Sequence, residues 1–546
     1  MRLVIVLLFV SLSTVGQRLK KADKAVVTSL QQHISYLADD KLEGRRAGTN
    51  GEKLAREYIS RQFQSIGLEP KGEQSWYQPF EIYEGKQVND ATFLYINDNE
   101  LKLNEEYFPF VYCPNTSLTA AVSLALKETG VPWFADLKEL QEEHADNPHF
   151  DLNDAVKTIA GKAAEKGATA LFVYNSSATA DQLQFNGRDA TQPLRIPVIY
   201  LTQKAKQKYL SDESATLDIR LKTDIGDKKR TGNNVIGFIN NGAPNTIVFG
   251  AHYDHLGYGE DGNSMLRSGE KQIHNGADDN ASGTAALIEL ARQMKQSKDK
   301  KNNYLFIAFS GEELGLYGSK YFTEHPTISL SSVNYMINMD MVGRLSDSSK
   351  TLTVGGYGTS PAWGSLFQDA LKKQKNFTVK FDSSGTGPSD HTSFYRKDIP
   401  VLFFFTGLHT DYHKPTDDGD KINYTGELHI IRFIEDLVKA SSKEGKLAFQ
   451  KTRETSTMST ARFSVTLGIM PDYTFSGGGV RVDGVSDGRP AQKAGIQTGD
   501  IIVQLGEYST DSMETYMQAL SKFKKGDLTK VKYKRGNELL EGDVQF

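Results

Sequence analysis

Cysteine is almost absent from this sequence, since Cys113 is the only one among 546 residues. A single thiol cannot form an intrachain disulfide, so the folded chain must be held together without one. The hydrophobic fraction is 38%, which is ordinary for a protein with substantial cores, and the length is enough for three or four domains. The sequence also lacks long internal repeats and low-complexity tracts.

Blocks of like charge are absent too, and the formal net charge is only −4. This balance weighs against a nucleic-acid partner. No segment is suited to span a membrane, because the apolar run from Leu3 to Val10 is too short to cross a bilayer.

That short run is nevertheless informative, because it follows Arg2 and precedes small residues, a pattern typical of a secretory signal peptide. We expect residues 1–16 to be the signal peptide, with cleavage near Gly16–Gln17. No cysteine follows the run, so a lipoprotein anchor is not expected. Export without disulfides indicates a bacterial periplasm or exterior.

Periodicity divides the chain into parts of different character. Apolar residues recur at helical spacing in 25–70, short β-like runs alternate with helical pieces in 85–225, and apolar runs alternate with helices in 232–445. The last pattern predicts a mixed, mostly parallel α/β sheet flanked by helices, with an inserted β-rich domain and a β-rich C-terminal domain. The expected boundaries are 1–16 (signal peptide), 17–84 and 231–448 (α/β domain), 85–230 (insert), 449–460 (linker) and 461–546 (C-terminal domain).

Four apolar runs of the α/β region are each followed by side chains that can bind a metal ion. They are Thr246 to Phe249 before His252, Tyr304 to Phe309 before Glu312 and Glu313, Tyr335 to Met339 before Asp340, and Val401 to Phe405 before His413. A further carboxylate, Asp279 or its neighbour Asp278, lies in the loop before a helix that Ser282 can cap. Because ligands of open α/β sheets bind at the carboxyl ends of strands, we expect these side chains to converge.

Two imidazoles and several carboxylates are a donor set suited to two zinc-type ions. Manganese or cobalt would accept the same donors, so the metal is not fixed by ligand type. Two ions about 3.5–4 Å apart need a bridging ligand. Asp279 is the natural bridge, because a carboxylate can give one oxygen to each ion.

Glu312 and Glu313 are adjacent, so their side chains point in different directions and need not both bind metal. One can ligate an ion while the other accepts the proton of the attacking water and passes it to the leaving amine. Asp254, two residues after His252, can accept a ring N–H and fix the tautomer of that histidine.

Other polar residues near these motifs are expected to play supporting roles. His255, His274 and His409 are expected at the surface or behind the ligands. The turn-rich stretch Asp39 to Gly51 is either a solvated connector or a border of the site.

Six motifs in this order, GAHYDH, GADDNASG, EELGLYGS, NMDMVG, GPSDHTSF and DYHKPTDD, resemble the M28 family of metallopeptidases, which includes secreted bacterial aminopeptidases. The match spans residues 25–80 and 232–440. The resemblance implies a zinc exopeptidase fold, two zinc ions, and a cis peptide after Asp279. It implies one ion on His252, Asp279 and Asp340 and the other on Asp279, Glu313 and His413, with Glu312 as general base and acid and Asp254 as the residue that orients the first histidine.

The same resemblance places Ser389, Asp390 and His391 near the pocket, where they either contact substrate or shape a loop. The insert, with KAAEKGATALFVYN and IPVIYLT, resembles a protease-associated domain.

The tail, with VTLGIM and PAQKAGIQTGDIIVQLGE, resembles a PDZ domain. This implies a peptide-carboxylate loop at Leu467, Gly468 and Ile469 beside an exposed strand edge, although a purely structural module is an alternative.

The sequence therefore predicts an exported di-zinc exopeptidase that removes N-terminal residues from peptides through a metal-bridged water activated by Glu312. A carboxypeptidase or dipeptidase could use the same metals, and Arg344 is a candidate to hold a substrate carboxylate. A glutaminyl cyclase-like transferase uses one zinc, which the complete set of five ligands argues against. A binding protein on this scaffold, like the transferrin receptor, would have lost ligands, and none is lost here.

Overall fold

The structure is a computed structural model that describes residues 19–546 except 145–149, 188, 190, 213, 267–269, 453–464, 472–477, 486–487, 512 and 537. The chain divides into two compact units, Met1–Phe80 with Thr231–Phe546, and Glu81–Arg230. The expected signal peptide and most of the expected linker lie outside the described residues. No helix in the described ranges is long and apolar enough to cross a bilayer.

The principal sheet has nine strands and is accompanied by seven α-helices, labelled here in chain order. The strands are β1 (Glu69–Pro70), β2 (Tyr77–Val88), β3 (Ile225–Ile239), β4 (Thr246–His252), β5 (Asn303–Phe309), β6 (Val333–Met339), β7 (Thr351–Gly355), β8 (Thr378–Phe381) and β9 (Val401–Phe405). The helices are α1 (Lys21–Leu37), α2 (Asn50–Ile66), α3 (Gly283–Gln296), α4 (Tyr317–Glu324), α5 (Trp363–Leu371), α6 (His391–Tyr395) and α7 (Tyr424–Ser441).

The strand order is β1-β3-β5-β4-β6-β9-β7-β8, with β2 paired to β3. The central strands β5, β4, β6 and β9 are parallel, as are β7 and β8. β3 and β7 run antiparallel to β5 and β9, respectively. The predicted mixed, mostly parallel sheet is confirmed, and all four runs expected to precede metal ligands are its parallel central strands.

Strands β4, β5 and β6 are buried along their whole length, which explains their nearly continuous apolar sequences. Successive side chains of β4 enter two different cores. Ile247 and Phe249 pack with the cluster that includes residues of α1, α2, α3 and α7, whereas Val248 packs with Phe322 and Phe394 on the other face. Helices on both faces thus fix the sheet in place and leave its strand ends to form the site.

Helix α3 buries an apolar stripe at helical spacing, Leu287, Leu290, Ala291 and Met294. Each buried leucine of such a stripe stabilises the fold by about 1.5–3 kcal/mol. Ser282, expected to cap this helix, does not do so. Its hydroxyl donates to the Asp278 carbonyl (2.8 Å), and the Asn280 side chain accepts from Gly283 N (2.9 Å) instead. The prediction of the cap was wrong, because Ser282 Oγ accepts from the Val342 amide (3.1 Å) instead of from an amide of the helix.

The unit Glu81–Arg230 contains two four-stranded sheets with their own cores. One sheet has the order Asn99–Glu100, Phe93–Ile96, Thr216–Thr223, Thr116–Ser123, and the other Tyr107–Pro109, Val198–Leu201, Leu171–Tyr174, Trp133–Asp136. Its helices are Lys138–Glu143, Leu152–Glu165 and Gln203–Tyr209. The likeness to a protease-associated domain stays a prediction.

The C-terminal part forms a six-stranded sheet around a separate apolar core. Its elements are β10 (Ile469–Pro471), β11 (Val480–Val485), α8 (Pro490–Lys493), β12 (Ile501–Leu505), β13 (Tyr508–Ser509), α9 (Met513–Leu520), β14 (Leu528–Arg535) and β15 (Glu538–Gln545). β10 is at the edge of the order β10-β11-β12-β14-β15, and β13 pairs with β12.

Candidate metal centre

Three predicted ligands meet where β4 and β6 end. His252 is the last residue of β4, Asp340 follows β6, and Asp279 lies in the loop before α3. His252 Nε2 is 3.4 Å from Asp279 Oδ1 and 3.3 Å from Asp340 Oδ1. One nitrogen and two carboxylate oxygens therefore converge on a single point.

A second group forms beyond the ends of β5 and β9. His413 Nε2 is 3.2 Å from Glu313 Oε2 and 3.3 Å from Asp279 Oδ2. Asp279 belongs to both groups, with Oδ1 facing His252 and Oδ2 facing His413. The structure thus brings together all five side chains predicted to bind metal, with the carboxylate of Asp279 between the two halves.

The loop that carries Asp279 is held in place by hydrogen bonds from its backbone amides and from the Asn280 side chain. Asp417 Oδ2 accepts from the amides of Asp278 and Asp279, both at 3.0 Å. The Asn280 side chain donates to Met339 O (3.0 Å), immediately before Asp340. The peptide Asp279–Asn280 is cis, as the family resemblance implied.

Both histidines direct Nε2 toward the carboxylates because Nδ1 is engaged elsewhere. His413 Nδ1 is 2.8 Å from Asn263 O, in the loop after β4. His252 Nδ1 is 3.2 Å from the backbone oxygen of Asp254 and 3.7 Å from its carboxylate. Asp254 is therefore beside the ring as expected, with its carbonyl as the nearer acceptor.

The carboxylate of Asp254 has a different close partner, since the Glu312 amide donates to Asp254 Oδ1 at 3.2 Å. Glu312 Oε2 lies 4.0 Å from His252 Nε2. Both Asp279 Oδ1 and Asp340 Oδ1 are closer to that nitrogen. Glu312 is thus at the margin of the donor cluster, whereas Glu313 is within it.

The two neighbouring glutamates have opposite electrostatic environments. Burial raises the pKa of Glu312 well above its usual range, and the nearby Asp340 and Glu313 add to this although His252 opposes it. Burial would also raise the pKa of Glu313, but His413 and a hydrogen bond with His255 lower it to about 2. Glu313 is suited to act as an ionised ligand, and Glu312 to hold and release a proton.

The pKa values of His252, His413 and Asp279 are shifted by the charges that these residues place on one another. Burial would lower the pKa of His252 and of His413, but neighbouring carboxylates raise both well above the usual value. Burial would raise the pKa of Asp279, yet the surrounding histidines hold it well below its usual range. The imidazoles and carboxylates of this cluster thus stabilise each other's charged forms.

His255, expected at the surface or behind the ligands, lies behind them and contacts one ligand directly. Its Nδ1 is 2.8 Å from Glu313 Oε1 and 3.9 Å from Asp279 Oδ2, and the residue is buried. His255 thus contacts one carboxylate oxygen of Glu313, and His413 contacts the other. The HxxH spacing from His252 in GAHYDH was the only signal in the sequence for this contact.

The other histidines occupy supporting positions. His409 Nε2 is 3.2 Å from Asp278 Oδ2, and His274 Nε2 is 2.7 Å from Ser264 Oγ. Arg344 donates to Asp411 Oδ2 at 3.3 Å. Its charge is therefore already compensated within the protein.

Ser389, Asp390 and His391 of the motif GPSDHTSF are buried near the centre. Asn338 donates to Ser389 Oγ at 2.8 Å, and the His391 ring stacks on Phe403 with centroids 4.5 Å apart. Burial raises the pKa of Asp390 to about 7 and lowers that of His391 to about 3. These contacts fit the loop-shaping role; the substrate-contact role stays a prediction.

The donor set fits divalent metal ions. Among the described residues, three sets of side chains each place their donor atoms within 4.8 Å of one another. The sets are His252 with Glu312 and Glu313, His252 with Asp279 and Asp340, and His255 with Asp279 and Glu313. In the described part of the chain no lysine or arginine pairs with any of these carboxylates. Imidazole nitrogen and carboxylate oxygen are the donors that zinc accepts in catalytic sites. The arrangement defines a candidate metallohydrolase centre.

The comparisons with known proteins identify two regions of the chain. Residues 234–438 match the family model "Peptidase family M28", and residues 448–546 match the PDZ domain. The chain therefore carries an M28 peptidase region and a C-terminal PDZ domain.

Its relatives include named aminopeptidases. The chain is 28% identical over 281 residues to aminopeptidase YwaD of Bacillus subtilis, covering 48% of this chain and 55% of that protein. It is 25% identical over 350 residues to the probable leucine aminopeptidase 2 of Aspergillus oryzae, covering 60% and 64%. The chain thus spans less than two thirds of the length of either relative.

A solved structure, that of the aminopeptidase from Aneurinibacillus sp. strain AM-1, gives a TM-score of 0.43 at 23% identity, covering 79% of this chain and 96% of that one.

Proposed function

We propose that this protein is a di-zinc exopeptidase that removes N-terminal residues from peptides. The observation that carries the proposal is the placement of Asp279, whose two carboxylate oxygens face two separate sets of donors. The match of residues 234–438 to the M28 family and the similarity to aminopeptidases support the reaction class.

The proposed ligands divide into two sets that share Asp279. His252 and Asp340 would hold one ion, and Glu313 and His413 the other, with manganese or cobalt as chemically acceptable replacements. When bound, two zinc ions would polarise the scissile carbonyl and lower the pKa of water toward about 7. The histidines contribute Nε2, because Asn263 O and the backbone of Asp254 engage the other ring nitrogens.

Glu312 performs the proton transfers in this mechanism. Its carboxylate is next to the donor cluster, and its raised pKa matches a group that takes a proton from the attacking water and returns it to the departing amine. The hydrogen bond from its amide to Asp254 fixes the main chain from which it projects. Asp254 thereby positions both His252 and Glu312.

The centre offers a substrate carboxylate no obvious cationic partner from the protein. Among the described residues, no lysine or arginine pairs with Asp279, Glu312, Glu313 or Asp340. Arg344, the candidate for holding a substrate carboxylate, is paired with Asp411. The complete set of five donors likewise favours a two-metal peptidase over a cyclase-like transferase with one zinc.

Two further roles rest on parts of the sequence beyond this centre. The N-terminal pattern of residues 1–16 supports export to a bacterial periplasm or exterior, which N-terminal sequencing of the mature protein would test. In the PDZ domain, β10 is at a sheet edge and Gly468 has a positive φ of 77° just before it. This arrangement supports capture of a peptide C-terminus at Leu467, Gly468 and Ile469.

The direct test of the proposed activity uses aminoacyl-p-nitroanilides with free and with acetylated N-termini. Each is assayed before chelation, after chelation, and after addition of zinc. Zinc-restored cleavage of the free-amine substrates alone is expected. Cleavage of neither set by protein that holds two zinc ions would refute the aminopeptidase assignment, and C-terminal trimming and glutamine cyclisation would then be assayed.

A further inference from the structure

Arg45 is completely buried, and its guanidinium binds only backbone carbonyl oxygens. Nε donates to Tyr253 O (2.8 Å), Nη2 to Gly276 O (2.9 Å), and Nη1 to Asn275 O (2.6 Å) and to Leu37 O. Among the described residues, no carboxylate lies within ion-pairing distance of it. A buried guanidinium without a carboxylate partner is expensive in free energy, so its retention requires a reason.

The identity of these carbonyls supplies the reason. Tyr253 directly follows His252 at the end of β4, and Gly276 is three residues before Asp279. The rigid, planar fork of an arginine therefore fixes the distance between the two segments that present these ligands. A flexible single-headed cation could not reach both segments in a fixed geometry.

Backbone hydrogen bonds of Gly44 and Arg45 also attach this turn to the segment that follows β4. The His255 amide donates to Arg45 O (3.3 Å), and the Gly257 amide donates to Gly44 O (3.0 Å). His255 contacts Glu313, so the other half of the centre is attached to the same turn.

The charge of Arg45 also suits this position. Burial lowers its pKa to about 10, although Asp279 and Asp254 oppose the shift, so the side chain stays cationic at neutral pH. A fixed positive charge then faces the carboxylates of the centre without occupying any oxygen that a metal ion needs.

We propose that Arg45 is a positioning residue that sets the separation of His252 and Asp279 and thereby the affinity for the ion that both bind. The inference rests on the proposed two-metal function for the identity of that ion. It assigns a role to a residue of the turn-rich stretch Asp39 to Gly51.

Zinc affinity, measured by titration against a competing fluorescent chelator, tests this proposal. Arg45→Lys keeps the charge but loses the fork, and Arg45→Met loses both. Both variants are expected to bind the first zinc about 10–100-fold more weakly than the wild type. Excess zinc should restore the activity of Arg45→Lys, because its metal ligands are unchanged.

The matched control is Arg46→Met, because Arg46 pairs with Asp261 (2.7 and 2.8 Å) instead of the carbonyls before the ligands. It should bind zinc as the wild type does. Wild-type zinc affinity in a folded Arg45→Lys variant would overturn the proposal, whether or not Arg45→Met folds. Zinc binding is read directly, so a wild type that binds two ions but cleaves no peptide would refute the proposed function and leave this test intact.

Discussion

Individual residues at the centre differ in role because their surroundings differ, not because of their chemical type. Glu312 and Glu313 are consecutive carboxylates, yet burial raises the pKa of Glu312, whereas at Glu313 His413 and His255 overcome the effect of burial and lower the pKa. The sequence could show that two glutamates follow β5. Only the placement of His255 and His413 shows which glutamate is held in its ionised form.

Glu312→Gln should remove the proton carrier while leaving the metal ligands in place. We expect kcat to fall about 10²–10⁴-fold, with zinc content unchanged, because a carboxamide cannot accept the proton. Steady-state kinetics and metal analysis of the same preparation would measure both. Glu324→Gln, at an exposed position on α4, is the control. Near-wild-type kcat in Glu312→Gln would exclude it as the general base.

Zinc binding should release protons, because His252 and His413 have raised pKa values in the metal-free protein but must be deprotonated to bind metal. Zinc affinity should therefore rise with pH through the neutral range. Calorimetric titration in buffers of different ionisation enthalpy measures the protons released. An affinity independent of pH would contradict the electrostatic description of the two histidines.

At the scale of elements, the sequence revealed the strands well and the supporting turn poorly. Strands β4, β5, β6 and β9 are continuous apolar runs followed by polar residues, and that pattern is visible without a structure. The stretch Asp39 to Gly51 gave no such signal, because its buried contacts are made by Arg45 with backbone carbonyls. Every residue has a backbone carbonyl, so the sequence does not indicate which carbonyls bind an arginine.

Gly44→Ala should disrupt this turn. Gly44 has a φ of 67°, and an added Cβ would lie 2.5 Å from His274 O and 2.7 Å from Gly257 O. These backbone atoms can move apart only at a high cost in free energy. The free energy of unfolding should therefore fall by about 2–3 kcal/mol.

Gly445→Ala is the matched control for chemical denaturation, because an added Cβ there meets nothing within 4 Å. It should change the free energy of unfolding by less than about 0.5 kcal/mol. Equal effects of the two substitutions would contradict the tight packing of the turn.

At the scale of the whole molecule, the M28 peptidase domain and the PDZ domain each have an apolar core of their own. The sequence sufficed to predict the sheet and to name both families. It did not reveal that Arg45 binds Tyr253 O or that Asn263 O orients His413, because those contacts join residues 208 and 150 positions apart.

Metal binding should contribute to the stability of the folded chain, since the ligands come from segments that are distant in sequence. At a free zinc concentration about 100 times Kd, the native state should gain about 2.7 kcal/mol. Thermal unfolding with and without chelator measures the gain. An unchanged Tm would show that the unfolded chain binds zinc equally well or that the site is not formed.

The central claim, that Asp279 joins two metal ions, is tested most directly by crystallography of the zinc-loaded protein with anomalous data collected at the zinc edge. We predict two peaks about 3.5–4 Å apart. One should contact His252 and Asp340, the other Glu313 and His413, and both Asp279. A single peak, or two peaks that do not both contact Asp279, would contradict the claim.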